Sequence, residues 1–256
     1  VDSAEQAHVI LQQRTSPMVL KPISGSSSYG VVRLTQEDGI QTIADHMDSV
    51  RTYIRNYRAE NPQYPFEFWL PEAGHGIAAD EVFDPERSFL LEGFIAGQQV
   101  SVDGIVADGR VSCFGVIEIE RIKDEDYFLE YEEWMPTRLG AAREETIQNA
   151  VASAVAALKL SACCFHCELK VDGDQIAVLE IAARRGADNI ADFLQKLQGI
   201  DIYAEGARIA CGESVYYPRR PADGAMKMRY FLPERSGRIC QIEGLQAVRK
   251  DARLSE

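Results

Sequence analysis

The sequence predicts an α+β fold built on antiparallel sheets. Two Asp-Gly pairs, Asp108-Gly109 and Asp172-Gly173, each separate two apolar runs, which is a strong signal for a β-hairpin. Two long segments, 36–57 and from 138 or 140 to 160, instead repeat apolar residues or alanines at helical spacing. Because strands joined by such short turns pair antiparallel, we expect these helices to accompany sheets made of hairpins.

The other elements follow from the same signals. The first part of the chain is expected to form, in order, a helix at 4–13, strands at 17–22 and 31–34 around a serine- and glycine-rich loop, helix 36–57, and a proline-containing loop with short strands at 58–86. The second part is expected to form strands at 89–95, 98–107 and 110–119 in an antiparallel sheet, an acidic aromatic segment at 121–136, the long helix, paired strands at 163–171 and 175–182, helices near 190–197 and 202–210, and strands near 226–232 and 238–242.

Composition limits the function. With 256 residues, 46% of them hydrophobic, the chain can bury a sizeable core as one large domain or two small ones. A formal net charge of -13 disfavours nucleic acid and anionic membranes as partners. We expect a cytoplasmic protein, because neither a signal peptide nor an apolar run of about 18 residues is visible. The six cysteines lack a disulfide framework and are expected to be free thiols.

Two glutamates, Glu168 and Glu180, occupy the strands on either side of the Asp172-Gly173 turn. If Asp172-Gly173-Asp174 forms a three-residue loop, Glu168 lies opposite Val178, which shares a face with Glu180 because side chains alternate along a strand. The two carboxylates are then diagonal neighbours roughly 7–8 Å apart, a gap that one or two Mg²⁺ ions can bridge. A two-residue loop is expected to break this alignment.

The alternative to a metal site is a structural ion pair. Glu180 lies in an apolar strand, where a buried carboxylate needs a cation or dense hydrogen bonding. Arg184 and Arg185 follow closely and are candidate partners. Two acids on one face favour the metal.

A loop rich in serine and glycine, 23–30, follows Lys21. Backbone N–H groups and hydroxyls of such a loop can donate to phosphate oxygens while the lysine supplies positive charge. The loop lacks the Gly-Lys-Ser/Thr ending of a P-loop. By itself it is more typical of a flexible turn.

Three blocks in order resemble the ATP-grasp superfamily: residues 17–34, residues 91–104, and the hairpin from His166 to Arg184. The nearest likeness is to its carboxylate–amine ligases, including L-amino-acid ligases and biotin-carboxylase-like members. The resemblance implies two α+β subdomains with antiparallel sheets that grip a nucleotide, here a small subdomain at 1–95, a large one at 96–225 and the start of a C-terminal one at 226–256. Relatives also have an N-terminal domain and a further lysine upstream, so we expect the chain to be part of a larger ligase.

The resemblance also implies roles for individual residues. The residues it assigns to ATP are Lys21, Ser24, Gly25, Ser26, Ser27, Ser28 and Gly30 on the phosphates, Glu92, Phe94 and Ile95 at the adenine, Gln99 where relatives have an acid for the ribose, and Lys170 near phosphate. Glu168 and Glu180 match the Mg²⁺ ligands, and Arg184 matches the catalytic arginine that holds the transferred group. Relatives usually have Asn two places after the second acid, where this chain has Ala182.

Other residues suggest weaker roles. The segment Glu130–Trp134 is a candidate for holding a substrate ammonium by charge and cation–π contact, and a solvated acidic loop is the alternative. His166 shares the face of Glu168 and either orients the site or is a satisfied strand histidine. Arg121 and Lys123 are further candidates for phosphate contact.

The expected function is that of an ATP- and Mg²⁺-dependent ligase that activates a small carboxylate, such as an amino acid, as an acyl phosphate and joins it to an amine. A homodimer is compatible with this expectation. The rivals are a non-catalytic nucleotide-binding module and a carboxylating enzyme of the biotin-carboxylase or carbamoyl-phosphate type. The last would need a biotin or carbamoyl partner, of which the sequence has no trace.

Overall fold

A computed structural model of the chain describes residues 1–23, 25, 27–60, 86–122, 127–231 and 237–251. Most of the proline-containing segment 58–86 lies outside these residues, so the loop predicted there is not described. The described part contains two antiparallel sheets. One has three strands and the other has seven.

The small sheet has the order β2-β1-β3, with β1 at Met18–Pro22, β2 at Val32–Leu34 and β3 at Phe89–Gly93. Helices α1 (Ala4–Gln12) and α2 (Ile40–Glu60) pack on it. Their apolar stripes explain why. Ala7 and Leu11 of α1 and Ile43 and Met47 of α2 are fully buried with Leu20 of β1, as helical spacing requires.

The large sheet has the order β10-β7-β6-β4-β8-β9, and β5 pairs with β4. Its strands are β4 (Gln98–Ala107), β5 (Arg110–Cys113), β6 (Ile117–Arg121), β7 (Glu130–Met135), β8 (Cys163–Asp172), β9 (Gln175–Ala182) and β10 (Met226–Arg229). Three further α-helices accompany it, α3 (Ala141–Ala157), α4 (Ile190–Gln198) and α5 (Ile202–Ala210), and a single turn of helix, α6, spans Leu245–Val248.

The two faces of the large sheet carry different residues. On one face Val100 and Val102 pack with Cys167 and Leu169 against α3. On the other face α4 and α5 cover only part of the sheet, where Ile105 is buried. The remainder of that second face carries polar residues from β4, β7, β8 and β9, and the candidate site lies there.

Several sequence predictions need correction. The run 110–119 forms two strands, β5 and β6, because residues 114–116 between them leave the strand conformation. Gly115 in this interruption has φ +101°. β3 pairs with β1 in the small sheet and not with β4. Residues 130–135 form strand β7 instead of a loop, and 238–242 is not a strand. No described helix is both long and apolar enough to span a membrane.

Candidate functional site

A cavity of about 320 Å³ lies between the small and large sheets. Both sheets contribute to its wall, together with the segment that follows β3. The lining residues are Val19, Lys21, Ser28, Val31, Glu92, Gly93, Phe94, Ile95, Arg121, Phe128, Glu168, Lys170, Val178, Leu179 and Glu180. One part of this wall is apolar and aromatic and another is charged, which suits a ligand with a flat apolar end and an anionic end.

The two acids predicted to bind metal meet in this wall, although the predicted register is wrong. Asp172 pairs with Gln175, so the loop has two residues and not three. A bulge between Leu169 and Glu168 then inserts one extra residue in β9, and Glu168 comes to lie directly opposite Glu180. Directly opposed side chains have Cβ atoms about 4.5–5.5 Å apart. The acids are therefore closer than the diagonal placement predicted.

Glu168 is held firmly by its neighbours. Its Oε2 accepts a hydrogen bond of 2.9 Å from Gln99 Nε2, and its Oε1 lies 3.5 Å from His166 Nε2. Burial opposes the charged carboxylate, but the hydrogen bond and charge of His166, with the charges of Arg121 and Arg184, lower the pKa of Glu168. This carboxylate is ionised at neutral pH.

Glu180 is different, because its side chain is exposed and forms no ion pair or hydrogen bond within the described residues. The prediction that it is buried is wrong. The alternative of a structural ion pair does not hold either, because Arg184 donates to the carbonyl of Arg185 and Arg185 donates to the carbonyl of Gly186. Among the described residues no three His, Cys, Asp or Glu side chains converge on one point. A cation here would need oxygen ligands from a bound molecule as well.

His166 belongs to a buried chain of polar groups that the sequence did not reveal. Its Nδ1 lies 2.9 Å from Asp103 Oδ2, and the backbone N–H of Gly186 donates to Asp103 Oδ1 at 2.5 Å. Burial disfavours a charged imidazole, but the hydrogen bonds and charges of Asp103 and Glu168 outweigh it and raise the pKa of His166 to about 10. His166 therefore orients Glu168 as a cation. A lone aspartate in the apolar strand 98–107 was the available signal for Asp103.

Lys21 lies in the cavity wall as predicted, but it is paired. Its Nζ lies 2.6 Å from Glu92 Oε2. The register explains the pair, because Val19 lies opposite Glu92 and Lys21 is the diagonal neighbour on the same face. Glu92 thus contributes a side chain to the wall as well as the predicted backbone.

The serine- and glycine-rich loop reaches the cavity through Ser28. Ser27 and Ser28 both have left-handed backbone, with φ of +55° and +54°, a conformation that is uncommon outside glycine and turns backbone N–H groups into a concave surface. Gly30 has φ +73° and no room for a side chain, since a Cβ would lie 2.7 Å from Val50. Gly25 lies outside the cavity wall, and Ser24 and Ser26 lie outside the described residues.

The residues assigned to adenine line the cavity, whereas the residue assigned to the ribose does not. Phe94 and Ile95 line the cavity directly after β3. Gln99 is 2% exposed and lies behind Glu168, to which it donates. It also donates to Glu130 Oε1 at 3.3 Å. The geometry gives Gln99 a positioning role, and its contact with a ribose stays a prediction.

Of the remaining cations, Lys170 is in the wall and Arg184 is not. Lys170 Nζ donates to the carbonyl of Gly97 at 3.3 Å, and burial, with the charge of Arg121, lowers the pKa of Lys170 to about 8. Arg184 is exposed and turned towards the backbone of Arg185. Its role in holding a transferred group stays a prediction that requires this side chain to turn inwards.

A second acidic group lies on the same face of the sheet, on β7. Glu133 is 2% exposed, and its Oε2 has no hydrogen-bond partner in the described part of the chain. Burial, with the charges of Glu130 and Asp188, raises the pKa of Glu133 to about 8. Burial and the charge of Glu168 likewise raise the pKa of Glu130. Glu130 has Arg121 as a cation, with Nη2 3.5 Å from Oε1, whereas Glu133 forms no ion pair within the described residues.

The predicted cation–π contact of a substrate ammonium with Trp134 is wrong. Trp134 packs between Arg138 and Lys227, 4.7 and 4.5 Å from its ring centroid, and its Nε1 donates to Glu132. Strand alternation puts Glu132 and Trp134 on the face opposite to Glu133.

Comparison with known proteins agrees with this architecture. The ATP-grasp domain family matches residues 72–192. The alanine–anticapsin ligase of Bacillus subtilis (strain 168) is 26% identical over 205 residues, which are 79% of this chain and 40% of that ligase. The chain thus spans less than half the length of this curated relative.

Solved structures show the same fold. The L-amino acid ligase from Bacillus licheniformis superposes with a TM-score of 0.67 at 19% identity, over 98% of this chain and 60% of the ligase. The biotin carboxylase domain of the Hydrogenobacter thermophilus 2-oxoglutarate carboxylase, solved with MgADP, superposes with a TM-score of 0.58 at 17% identity, over 88% of this chain and 43% of that domain. The predicted resemblance is confirmed: residues 72–192 match the ATP-grasp domain family, and the chain has the ATP-grasp fold.

Proposed function

We propose that this ATP-grasp domain is the nucleotide- and Mg²⁺-binding part of a ligase that activates a small carboxylate as an acyl phosphate and joins it to an amine of an amino-acid-like substrate. One observation carries the proposal. Glu168 and Glu180 lie directly opposite each other in the wall of a cavity that also contains Lys21 and Lys170. The named activity of the alanine–anticapsin ligase supports an amino-acid substrate.

The donor set fits Mg²⁺. Two carboxylates and no nitrogen or sulfur ligand suit this ion, which commonly takes one or two carboxylates together with substrate phosphates. Glu168 and Glu180 would hold it. Bound there, the ion would supply positive charge for phosphoryl transfer. The structurally similar biotin carboxylase domain was solved with MgADP, which supports this choice of metal.

The chain's own residues would do the rest of the positioning. Lys21 would leave its ion pair with Glu92 and bind a phosphate, and Lys170 would contribute a second positive charge. Ser27 and Ser28 would donate backbone N–H groups to the phosphate oxygens. Phosphoryl transfer depends mainly on such positioning and charge neutralisation, so no nucleophilic side chain is required. The loop at 23–30 would shield an acyl phosphate from water.

The acidic group on β7 suits the substrate amine. Glu133 is buried without an ion pair among the described residues, whereas Glu130 has Arg121 at 3.5 Å, and burial together with carboxylate repulsion raises the pKa of each. An ammonium group would relieve both effects. These residues support an amino-acid-like substrate with a free amine near the cavity.

The test is release of inorganic phosphate from ATP and Mg²⁺ across individual pairs of amino acids. We expect release that depends on both the acid and the amine, and its loss in Glu180→Gln. Glu180 is exposed and unpaired in the described residues, so this variant keeps the fold. Substrate-dependent turnover that survives Glu180→Gln would overturn the metal assignment.

A second candidate is a nucleotide-binding module without catalysis. The position of Arg184 favours it, because this side chain lies outside the cavity wall. Tight ATP binding without phosphate release for any substrate pair would support this candidate and overturn the ligase.

A further inference from the structure

A column of four side chains joins the two sheets, and three of them, Phe94, Phe128 and Arg121, line the cavity. The guanidinium carbon of Arg33 on β2 lies 5.3 Å from the ring centroid of Phe94. The rings of Phe94 and Phe128 are stacked with centroids 6.4 Å apart, and Arg121 on β6 lies 4.8 Å from the Phe128 centroid. We call these four residues the aromatic column.

The two arginines at its ends share an unusual feature. Each has a buried Nε atom without a hydrogen-bond partner in the described part of the chain. Leaving a buried N–H donor without a partner is unfavourable, so such a donor indicates a missing acceptor. Arg121 lines the cavity and Arg33 does not, which makes them a natural pair for comparison.

Arg121 is also less tightly paired than Lys21 in the cavity wall. Its nearest carboxylate oxygen is Glu130 Oε1 at 3.5 Å, whereas Lys21 has an ion pair of 2.6 Å. Stacking on Phe128 fixes its plane while leaving its N–H edge available. Its charge is felt by both Glu168 and Lys170. Arg121 therefore belongs to the charged end of the cavity.

We infer that Arg121 is a nucleotide-contacting residue whose guanidinium binds the terminal phosphates of ATP. This inference rests on the proposed nucleotide site and adds a cation that the family resemblance did not assign to it. A planar fork of donors meets two phosphate oxygens at once, which a lysine cannot do. Arg121 supplies that fork inside the cavity, where Arg184 does not lie.

The test is calorimetric binding of MgATP and of AMP to the wild type, Arg121→Gln and Arg33→Gln. We expect Arg121→Gln to weaken MgATP binding by about 10- to 100-fold, as for loss of a charge-assisted bidentate contact, with AMP binding changed less than about twofold. Arg33→Gln, the matched control at the other end of the column, should leave both affinities near the wild-type values. Arg121→Lys, which keeps the charge, should give an intermediate loss and answers the question if Arg121→Gln does not fold.

Three results would overturn the assignment. Unchanged MgATP affinity in Arg121→Gln removes the contact, and an equal loss for MgATP and AMP means that Arg121 supports the apolar wall instead. Recovery of MgATP affinity in Arg121→Gln/Glu130→Gln means that Arg121 only neutralises Glu130. If the wild type binds no nucleotide, both the nucleotide site and this inference are overturned. If it binds MgATP without turnover, only the proposed ligase activity is overturned.

Discussion

Two pairs of acidic residues face the same side of the large sheet, and Glu168 in one pair and Glu133 in the other differ in the direction of their pKa shifts. In the hairpin, Glu168 has His166 and Arg121 nearby, and its pKa is lowered. On β7, Glu133 has acidic neighbours and no paired cation among the described residues, and burial with their repulsion raises its pKa to about 8. The residue type is the same, and the neighbours decide the charge.

This difference indicates that the two groups of acids on this face have different roles. A carboxylate binds a metal in its deprotonated form, and Glu168 is already ionised at neutral pH. A buried acid with acidic neighbours and no ion pair favours a proton or an ammonium group, and Glu133 meets that condition within the described residues. The comparison predicts that the two pairs respond to different substitutions.

The largest effect is expected from the hairpin acids. Glu168→Gln and Glu180→Gln should each lower kcat by at least about 100-fold, because each removes a carboxylate ligand of the Mg²⁺ that would neutralise the transferred phosphoryl group. Phosphate release measures the loss. The two variants should differ in thermal unfolding: Glu180→Gln keeps the wild-type Tm, whereas Glu168→Gln lowers stability by about 1–3 kcal/mol by leaving His166 without its carboxylate. Equal Tm values in the two variants would show that the contacts of Glu168 stabilise the fold no more than those of Glu180.

A smaller effect should follow loss of the residue that orients Glu168. His166→Gln is expected to weaken binding of Mn²⁺, used as a probe for Mg²⁺ in the presence of ATP, by about 10- to 100-fold. Electron paramagnetic resonance titration measures it. His8→Gln, at a histidine on α1 outside the cavity wall, serves as the control. Unchanged Mn²⁺ affinity would make His166 a purely structural strand residue.

The β7 acids should respond in substrate binding. Glu133→Gln is expected to raise KM for the amine-bearing substrate by about 10-fold with a smaller effect on KM for ATP, since one charged contact to an ammonium is lost. Glu132→Gln is the matched control, because Glu132 points to the opposite face and pairs with Lys227 and Arg229. The same KM shift in both variants would rule out an ammonium site.

The smallest effect concerns pH. The pKa of Glu133 is about 8 in the folded chain against an ordinary value of 4.5, so between these values the folded state binds more protons than the unfolded state. Stability from this group is therefore present at low pH and is lost as pH rises towards 8. Without substrate, Tm should fall across this range by at least about 2 °C more in the wild type than in Glu133→Gln. Parallel Tm profiles in scanning calorimetry would show that Glu133 is ionised throughout.

Local patterns in the sequence predicted much of the architecture. Helical spacing predicted the long helices and the Asp-Gly turns predicted the hairpins, because both depend on residues a few positions apart. The resemblance to ATP-grasp proteins then predicted the fold. Lys21, Glu168 and Lys170 all lie in the cavity wall, since strand alternation puts the last two on one face.

Only the tertiary structure decided the rest. The loop length and the bulge in β9 fix Glu180 opposite Glu168, and they depend on packing of the whole hairpin and not on its turn residues. Asp103 and Glu133 join the site because β7, β6, β4 and β8 are neighbours in the sheet, although they are far apart in sequence. The sequence by itself determined which residues are acidic or basic and which side chains share a face of their strand. Which charges meet, and hence which acids are ionised, was decided by long-range strand order, because electrostatic energy depends on distance and burial.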